Sequence, residues 1–531
     1  KMPPLAVSFI RTMKKIEILD TTLREGAQSE QISFSAADKL HIAEALDAFG
    51  IPLIEGGNPA SNPTDREFFA KCRLKNAALV AFTGTHRKEL SPERDPGFAA
   101  VLETGAPIVT VFGKCSREQA ERVLGTEPEH NLEMIRASAA WFVQQGKRVI
   151  FDAEHFFDGY RSDSEYALAA LRAAAEGGAD TLCLCDTNGA TFPDEIGEIT
   201  EIIVRAFPSC KVGIHCHNDA GFADAGAYFA VKAGAQHVQG TFTGFGERCG
   251  NSSLSTVIPD LQLKKGYSLI PPENMKLLTQ TAIRISDVMN VSLRPGQPYV
   301  GRSAFAHKAG MHADAVRKQS STFEHVGPES VGNVRRFLLS EVSGRSVIAE
   351  KIAGLYPHLT KDSPETAAVL EHLKDMEHRG YRFEAAEASF LLAVKRRLHD
   401  FRPSFELVSY KAINEQPAVE NVPSTAIVKV RVGGQPCLAS GEGNGPVNAL
   451  DRALRNALSA FYPEIAEMSL TDYKVRVLTP EKATAAVVRV LITSTDGTHI
   501  WSTVGVSSDV IDASFIALTD SIEYKLLLKE Q

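Results

Sequence analysis

Two short segments far apart in the chain carry the residue types of a divalent-metal site. They are Arg24-Glu25-Gly26, after the apolar run 16–19, and His215-Cys216-His217, after the apolar run 212–214. On an extended strand the side chains at i and i+2 share a face, so His215 and His217 can aim two imidazoles at one point while Cys216 turns away. A carboxylate from the end of another strand completes a His/His/carboxylate set with coordination positions left open for substrate. A His-x-His pair by itself is more often core than ligand; the positions of the other polar clusters give it weight.

Eight apolar, strand-like runs occur, at 16–19, 52–54, 78–82, 108–112, 149–151, 181–184, 212–214 and 237–242. Stretches of helical period lie between them, at 36–48, 131–144, 165–175 and 223–233. Alternation of this kind requires a parallel βα architecture, and eight units predict an α/β fold of the closed (β/α)8 TIM-barrel type over residues 14–270. The clusters Asp20-Thr21-Thr22-Leu23-Arg24-Glu25, Glu55-Gly56-Gly57, Asp152-Ala153-Glu154-His155, Cys185-Asp186-Thr187-Asn188, 215–219 and Gly246-Glu247-Arg248 then each follow the C-terminal end of a strand. Barrel enzymes build their active sites on that pole. Closure makes strands one, seven and eight neighbours, which brings Glu25, His215, His217 and the loop 246–251 together.

The chain has 531 residues, 44% of them hydrophobic, enough for two or three domains with proper cores. A net charge of -8 with interspersed signs gives no basic stripe, which argues against nucleic-acid binding. Eight cysteines occur without a paired framework or a CxxC, as expected for the reducing cytoplasm. No apolar run approaches the length of a membrane span, and the segment 2–13 reads as a ragged tail rather than a signal peptide.

Beyond the barrel, Pro271-Pro272 opens a helical linker region, 271–402, interrupted by the polar stretch 294–310 and closed by Arg402-Pro403. The remaining segment, 403–531, shows one order twice: strands at 405–410, 426–432 and 437–440 before a helix at 446–461, then strands at 473–478, 485–492 and 500–504 before a helix at 510–528. This predicts a duplicated βββα domain. The loop 441–446 lacks the spacing of a phosphate-binding motif and reads as a tight turn with Pro446 at a helix start.

Four motifs carry a family resemblance: 20–28 (Asp-Thr-Thr-Leu-Arg-Glu-Gly-Ala-Gln), 215–219 (His-Cys-His-Asn-Asp), 246–251 (Gly-Glu-Arg-Cys-Gly-Asn) and 305–314 (Phe-Ala-His-Lys-Ala-Gly-Met-His-Ala-Asp). The chain resembles the DRE-TIM acyltransferases, the 2-isopropylmalate, homocitrate and citramalate synthases, which condense acetyl-CoA with a 2-oxo acid. The similarity spans essentially the whole chain, since 443–462 and 472–526 look like the family's regulatory module. Within it, 151–160, Val331-Gly332-Asn333 and Ser343-Gly344-Arg345-Ser346 look most like the citramalate-synthase branch. That branch implies acetyl-CoA, pyruvate and water giving (R)-citramalate and CoA, the entry to an isoleucine route. The alternatives are the 2-isopropylmalate branch acting on 2-oxoisovalerate for leucine, a retro-aldol lyase resembling those that cleave 3-hydroxy-3-methylglutaryl-CoA, and an amino-acid sensor without turnover.

The resemblance implies a role for each candidate residue. Glu25, His215 and His217 would hold a divalent metal ion (zinc, magnesium or manganese), with Asn251 a further or water-mediated ligand; as a residue type in a Gly-rich loop, Asn251 reads equally well as a turn residue. Arg24 is always cationic, so its part is to stabilise an alkoxide, unless it is a barrel-mouth ion pair to Glu55 or Asp20. Loss of a thioester methyl proton needs a base, for which Glu154 and His312 are the candidates. His312 would come from the helical subdomain of a partner subunit, with Asp314 orienting it, and Thr187 would bind the 2-oxo acid's carboxylate. By residue type alone, Glu154 reads equally as part of a polar layer and His312 as a helix cap. Cys249 has no dedicated base and reads as a structurally buried thiol. The module after residue 403 would bind a branched-chain amino acid and pair in a homodimer. The chain departs from the branch's pattern at Phe323, where Tyr is usual, at Thr243 and Phe245, at Asn58 and in 221–226, which bears on the choice of 2-oxo acid.

Overall fold

The structure is a computed structural model that describes residues 14–30, 32–307, 315–316, 318–337, 345–383, 385–419, 422–479, 483, 485–497 and 499–528. His312 and Asp314 lie outside the described residues, as do Ser343 and Gly344. The chain divides into two compact units, one of residues 1–306 with 319–336 and one of 307–318 with 337–531.

In the first unit, eight parallel strands close into a barrel in sequence order: β1 (Glu17–Asp20), β2 (Leu53–Gly57), β3 (Ala78–Gly84), β4 (Ile108–Lys114), β5 (Arg148–Glu154), β6 (Thr181–Asp186), β7 (Lys211–Cys216) and β8 (His237–Gly240). The register Leu19↔Gln239 and His215↔Gln239 places β8 between β1 and β7. Both faces of each strand are covered, which is why the strands read as continuous apolar runs rather than alternating ones. Inward, Leu19, Leu53, Val80, Ile108, Ile150 and Cys183 form one apolar layer. Outward, residues such as Ile18, Ile54, Val109, Phe151, Leu182, Ile214 and Val238 pack on the surrounding helices. Below the apolar layer, Arg148 joins Glu17 of β1 to Asp180, with His237 Nδ1 3.1 Å from Glu17.

Local chemistry sets where the helices start. Ser35 caps α1 (Ala36–Phe49) in a capping box with Asp38. Asn62 and Asp95 cap α2 (Pro63–Lys71) and α3 (Pro96–Glu103), each with Pro at the first helical position, where its missing N–H costs nothing. α4 (Pro128–Gln144), α5 (Phe156–Ser162), α6 (Ser164–Glu176), α7 (Pro193–Ala206) and α8 (Ala223–Lys232) complete the ring, followed by α9 (Leu254–Pro259) and α10 (Leu278–Val288). Residues 271–305 pack on the barrel: Met275, Leu278, Ala282, Ile285, Tyr299 and Phe305 belong to its core.

In the second unit, helices α11 (Arg345–Ile352), α12 (Pro364–His378) and α13 (Glu387–Arg397) precede two antiparallel three-stranded sheets. The first comprises β9 (Glu406–Val419), β10 (Val422–Val432) and β11 (Gln435–Gly443), backed by α14 (Pro446–Leu458). The second comprises β12 (Ser469–Val477), β13 (Val488–Thr495) and β14 (Ile500–Ser507), backed by α15 (Val510–Leu528). This is the βββα duplication. In each repeat a glycine lets the helix lie against the last strand: a Cβ at Gly441 would stand 2.5 Å from the amide nitrogen of Ala453, and one at Gly505 2.0 Å from the carbonyl of Ala513. The sheets differ on their far faces. That of the second sheet shares a core with the helices, Val504 packing with Phe383, Phe390 and Val394, and Ser389 Oγ donating to Asp520 Oδ2 at 2.9 Å. That of the first leaves Ile413, Ile427 and Leu438 exposed. Among the described residues, no helix is long and apolar enough to cross a membrane.

Candidate metal and active site

The strand ends at the C-terminal pole gather the site. The turn after β1 carries Arg24 and Glu25, the end of β7 carries His215 with His217 just beyond it, and the loop after β8 returns to place Asn251 in a bridge with His217. Glu25, His215 and His217 are buried and bring one ligand atom each to within 4.8 Å of the others. His217 Nε2 lies 3.6 Å from Glu25 Oε1, and Asn251 Nδ2 lies 3.2 Å from His215 Nε2. Among the described residues, His217 Nδ1 and Asn251 Oδ1 are buried without a hydrogen-bond partner.

Arg24 is clamped on three sides. Its guanidinium pairs with Glu55 through Nε and with Glu25 through a terminal nitrogen, and it stacks 3.8 Å from the ring centre of Phe82. Burial opposes its charge, but Glu25 and Glu55 outweigh that and hold it more firmly protonated than a free arginine. Both readings of Arg24 therefore meet in one residue: the ion pair to Glu55 exists, and it fixes the cation beside the ligand set.

Electrostatics hold the three candidate ligands in the carboxylate and neutral-imidazole forms. Burial alone would raise Glu25, but Arg24, His215 and His217 overcome it and bring the carboxyl down to about 2. Burial disfavours the imidazolium of His215, and burial together with the neighbouring His215 lowers His217 to about 4. A buried carboxylate and two neutral imidazoles at neutral pH are the forms that ligate a cation, so the residues fit a divalent metal. Burial also pushes Asp152, on β5, up to about 8 and Asp20, at the end of β1, up to about 7.

The other candidates lie at neighbouring strand ends. Glu154 closes β5 and pairs with Lys114 at the end of β4, Oε2 to Nζ 2.6 Å. Thr187, just past β6, accepts the backbone N–H of His155 on its hydroxyl oxygen at 2.8 Å, and its carbonyl accepts from Arg248 at 2.8 Å. His155 itself adopts a left-handed φ of 57°. A cavity of about 650 Å³ opens beside Asn251, lined by Asn218, Gly221, Thr243, Phe245, Arg248 and Gln297 among others. Three of the departures from the family pattern, at Gly221, Thr243 and Phe245, thus line one space. Phe323 is exposed. Cys249 is exposed as well, contrary to the burial expected for it, because the 246–251 loop turns its own backbone and Asn251 inward instead.

Three family matches in succession cover most of the chain. The HMGL-like family matches residues 15–292, a homocitrate synthase post-HMGL domain-like family residues 299–380, and the LeuA allosteric (dimerisation) domain residues 384–526. The chain is 47% identical over 522 residues to the (R)-citramalate synthase of Aquifex aeolicus (strain VF5), covering 98% of this chain and 99% of that protein. The chain belongs to the HMGL-like family, on its (R)-citramalate synthase branch. The (R)-citramalate synthase of Synechocystis sp. is 46% identical over 96% of both chains. The 2-isopropylmalate synthase of Brevibacillus brevis is 30% identical, over 96% of this chain and 97% of its own.

Against that branch, two residues of the site went unread in the sequence. Gln239, on β8, touches His215, and Lys114 pairs with Glu154. Gln239 stands two residues after His237 inside an apolar strand, so the period-two rule that picked out the His-x-His pair would have found it on the inward face. Lys114, two residues after Phe112 on β4, carries the same signal.

Proposed function

We propose that the chain is an (R)-citramalate synthase: it joins the methyl carbon of acetyl-CoA to the keto carbon of pyruvate, and water then cleaves the thioester to release CoA and (R)-citramalate. The observation that carries this reading is identity of 43–47% to curated (R)-citramalate synthases over nearly the whole chain, against 29–30% to 2-isopropylmalate synthases.

Glu25, His215 and His217 hold a divalent cation, zinc, magnesium or manganese, with Asn251 at its edge; when bound, such a cation supplies Lewis-acid polarisation of a 2-oxo acid's keto group. Arg24 stands beside that position with its charge already desolvated and oriented by Glu55 and Phe82, so it meets negative charge developing on the keto oxygen without reorganising. The Thr187 hydroxyl, its oxygen occupied by the His155 N–H, has its proton free to give to the substrate carboxylate. Glu154 takes the methyl proton of the thioester, and Lys114 holds its carboxylate in place. His312, oriented by Asp314 and supplied from a second subunit, completes the proton transfers.

The regulatory segment binds a branched-chain amino acid, isoleucine, near 443–448 and the equivalent turn at 505–509, and the enzyme is a homodimer. The exposed Ile413, Ile427 and Leu438 face of the first sheet supports the pairing, since it is the apolar face that its own unit leaves uncovered. Thiol release from acetyl-CoA against a panel of 2-oxo acids tests the assignment. Pyruvate is expected to give the largest kcat/KM, and a larger value for 2-oxoisovalerate would move the enzyme to the leucine branch.

A further inference from the structure

Gln239 connects the ligand set to the barrel interior. Its Oε1 lies 2.9 Å from His215 Nδ1, and its Nε2 donates to Asp152 Oδ1 at 2.7 Å. All three side chains are buried, Gln239 to 1% exposure. A carboxamide has one accepting and one donating end. With the donating end on Asp152, the accepting end faces His215, and a proton on Nδ1 satisfies it. His215 Nε2 is then the lone-pair nitrogen, and it is the one that faces Asn251 at 3.2 Å. An apolar residue would fill the same interior position between Val238 and Gly240 without desolvating an amide, so packing alone gives no reason for glutamine here.

We infer that Gln239 is a positioning residue: through its contact with His215 it fixes the Nδ1-protonated tautomer and the ring orientation that present Nε2 to the cation, with Asp152 in turn fixing the amide. Outer partners of this kind set ligand basicity and ring orientation in metal sites. The inference rests on the proposed reading of Glu25, His215 and His217 as cation ligands. Gln239 is not among the residues lining the 650 Å³ cavity and makes no hydrogen bond to Arg24, so its effect is expected on the cation rather than on either substrate.

The test is zinc affinity of the full-length metal-free protein, measured by competition with a chromophoric chelator and so independent of turnover. Four proteins are compared: the parent, Gln239→Met, Gln239→Glu and His215→Ala, with circular dichroism as the check on folding. Gln239→Met keeps the volume and removes both hydrogen-bonding ends, and is expected to weaken zinc binding roughly 10- to 100-fold. Gln239→Glu keeps an acceptor for His215 Nδ1–H but loses the donor to Asp152, and is expected to weaken zinc binding less than Gln239→Met does. Parent-like affinity in Gln239→Met, with binding lost in His215→Ala, would overturn the positioning role and leave the ligand set standing. Equal losses in Gln239→Met and Gln239→Glu would overturn the acceptor argument. Parent-like affinity in His215→Ala would overturn the ligand reading and this inference with it.

Discussion

Gly246→Ala is a one-carbon change that tests the loop side of the site. A Cβ at position 246 would stand 1.8 Å from Asn251 Oδ1, 3.0 Å from its Cγ and 3.4 Å from Gly250 Cα. The backbone at 246 is not left-handed, so alanine costs nothing there and the collision falls on the Asn251 carboxamide. To reach ordinary contact that oxygen must retreat by roughly 1.5–2 Å, whereas ligand distances tolerate about 0.2 Å. Asn251 therefore loses both its approach to the ligand set and its 3.2 Å contact with His215. Displacing such a partner is expected to weaken cation binding about 10- to 100-fold, or ~1.4–2.7 kcal/mol. Chelator competition on Gly246→Ala, Asn251→Ala and the double variant closes a cycle. Because the clash needs the Asn251 oxygen, the double variant should bind no more weakly than Asn251→Ala alone, a coupling that independent sites would not show. Parent-like affinity in Gly246→Ala, or fully additive losses, would refute the reasoning.

Three further outcomes are expected. Arg24→Ala should lower kcat on the order of a hundredfold or more with little effect on cation affinity, and Arg24→Lys should restore only part, since a point charge does not reproduce the fork that meets Glu55 and Glu25; a change in KM alone would make Arg24 a binding group. At the opposite pole, burial opposes the Glu17 charge but His237 and Arg148 hold its carboxyl well below the usual range. A depressed carboxyl contributes stability above its unfolded pKa that is lost as pH falls through the folded one, so the stability gap between the parent and Glu17→Gln, read by urea unfolding, should narrow steadily on acidification below about pH 4.5; a constant gap would contradict the pairing. Isoleucine titrated into Gly505→Val, where the added side chain forces α15 off β14, should inhibit condensation less than in the parent; inhibition of equal strength would place the effector elsewhere.

From the sequence, cutting the chain after Asp400, near the Arg402-Pro403 break, is expected to retain some condensation activity if the helical region still dimerises, and to lose amino-acid inhibition. The structure gives the opposite expectation, because Val504, Leu491 and Val506 of the second sheet share a core with Phe383, Phe390 and Val394 of the helices before the cut. Removing the sheets bares that core, so loss of activity on truncation would not by itself measure regulation.

The amino-acid sequence by itself determined the elements and which candidate residues the barrel would gather at one pole. A strand covered on both faces must be apolar along its length, so eight such runs marked the barrel, and the polar clusters that end them marked its active pole. The side-chain period of two put His215 and His217 on one face, and the duplicated order of strands and helix was legible from hydrophobic pattern and turn residues alone. Those are local signals, carried within a handful of residues. What tertiary structure decided was non-local. Closure of β8 on β1 turned Glu25 and His217 into neighbours 3.6 Å apart, and the same closure set Gln239 between His215 and Asp152. Lys114 found Glu154 only through the β4–β5 register, and Cys249 faced outward because the returning loop spent its inward positions on Asn251. Residues 345–397 look like a linker in sequence, yet they pack on the second sheet, because an amphipathic helix states that one face must be buried and says nothing of what will bury it.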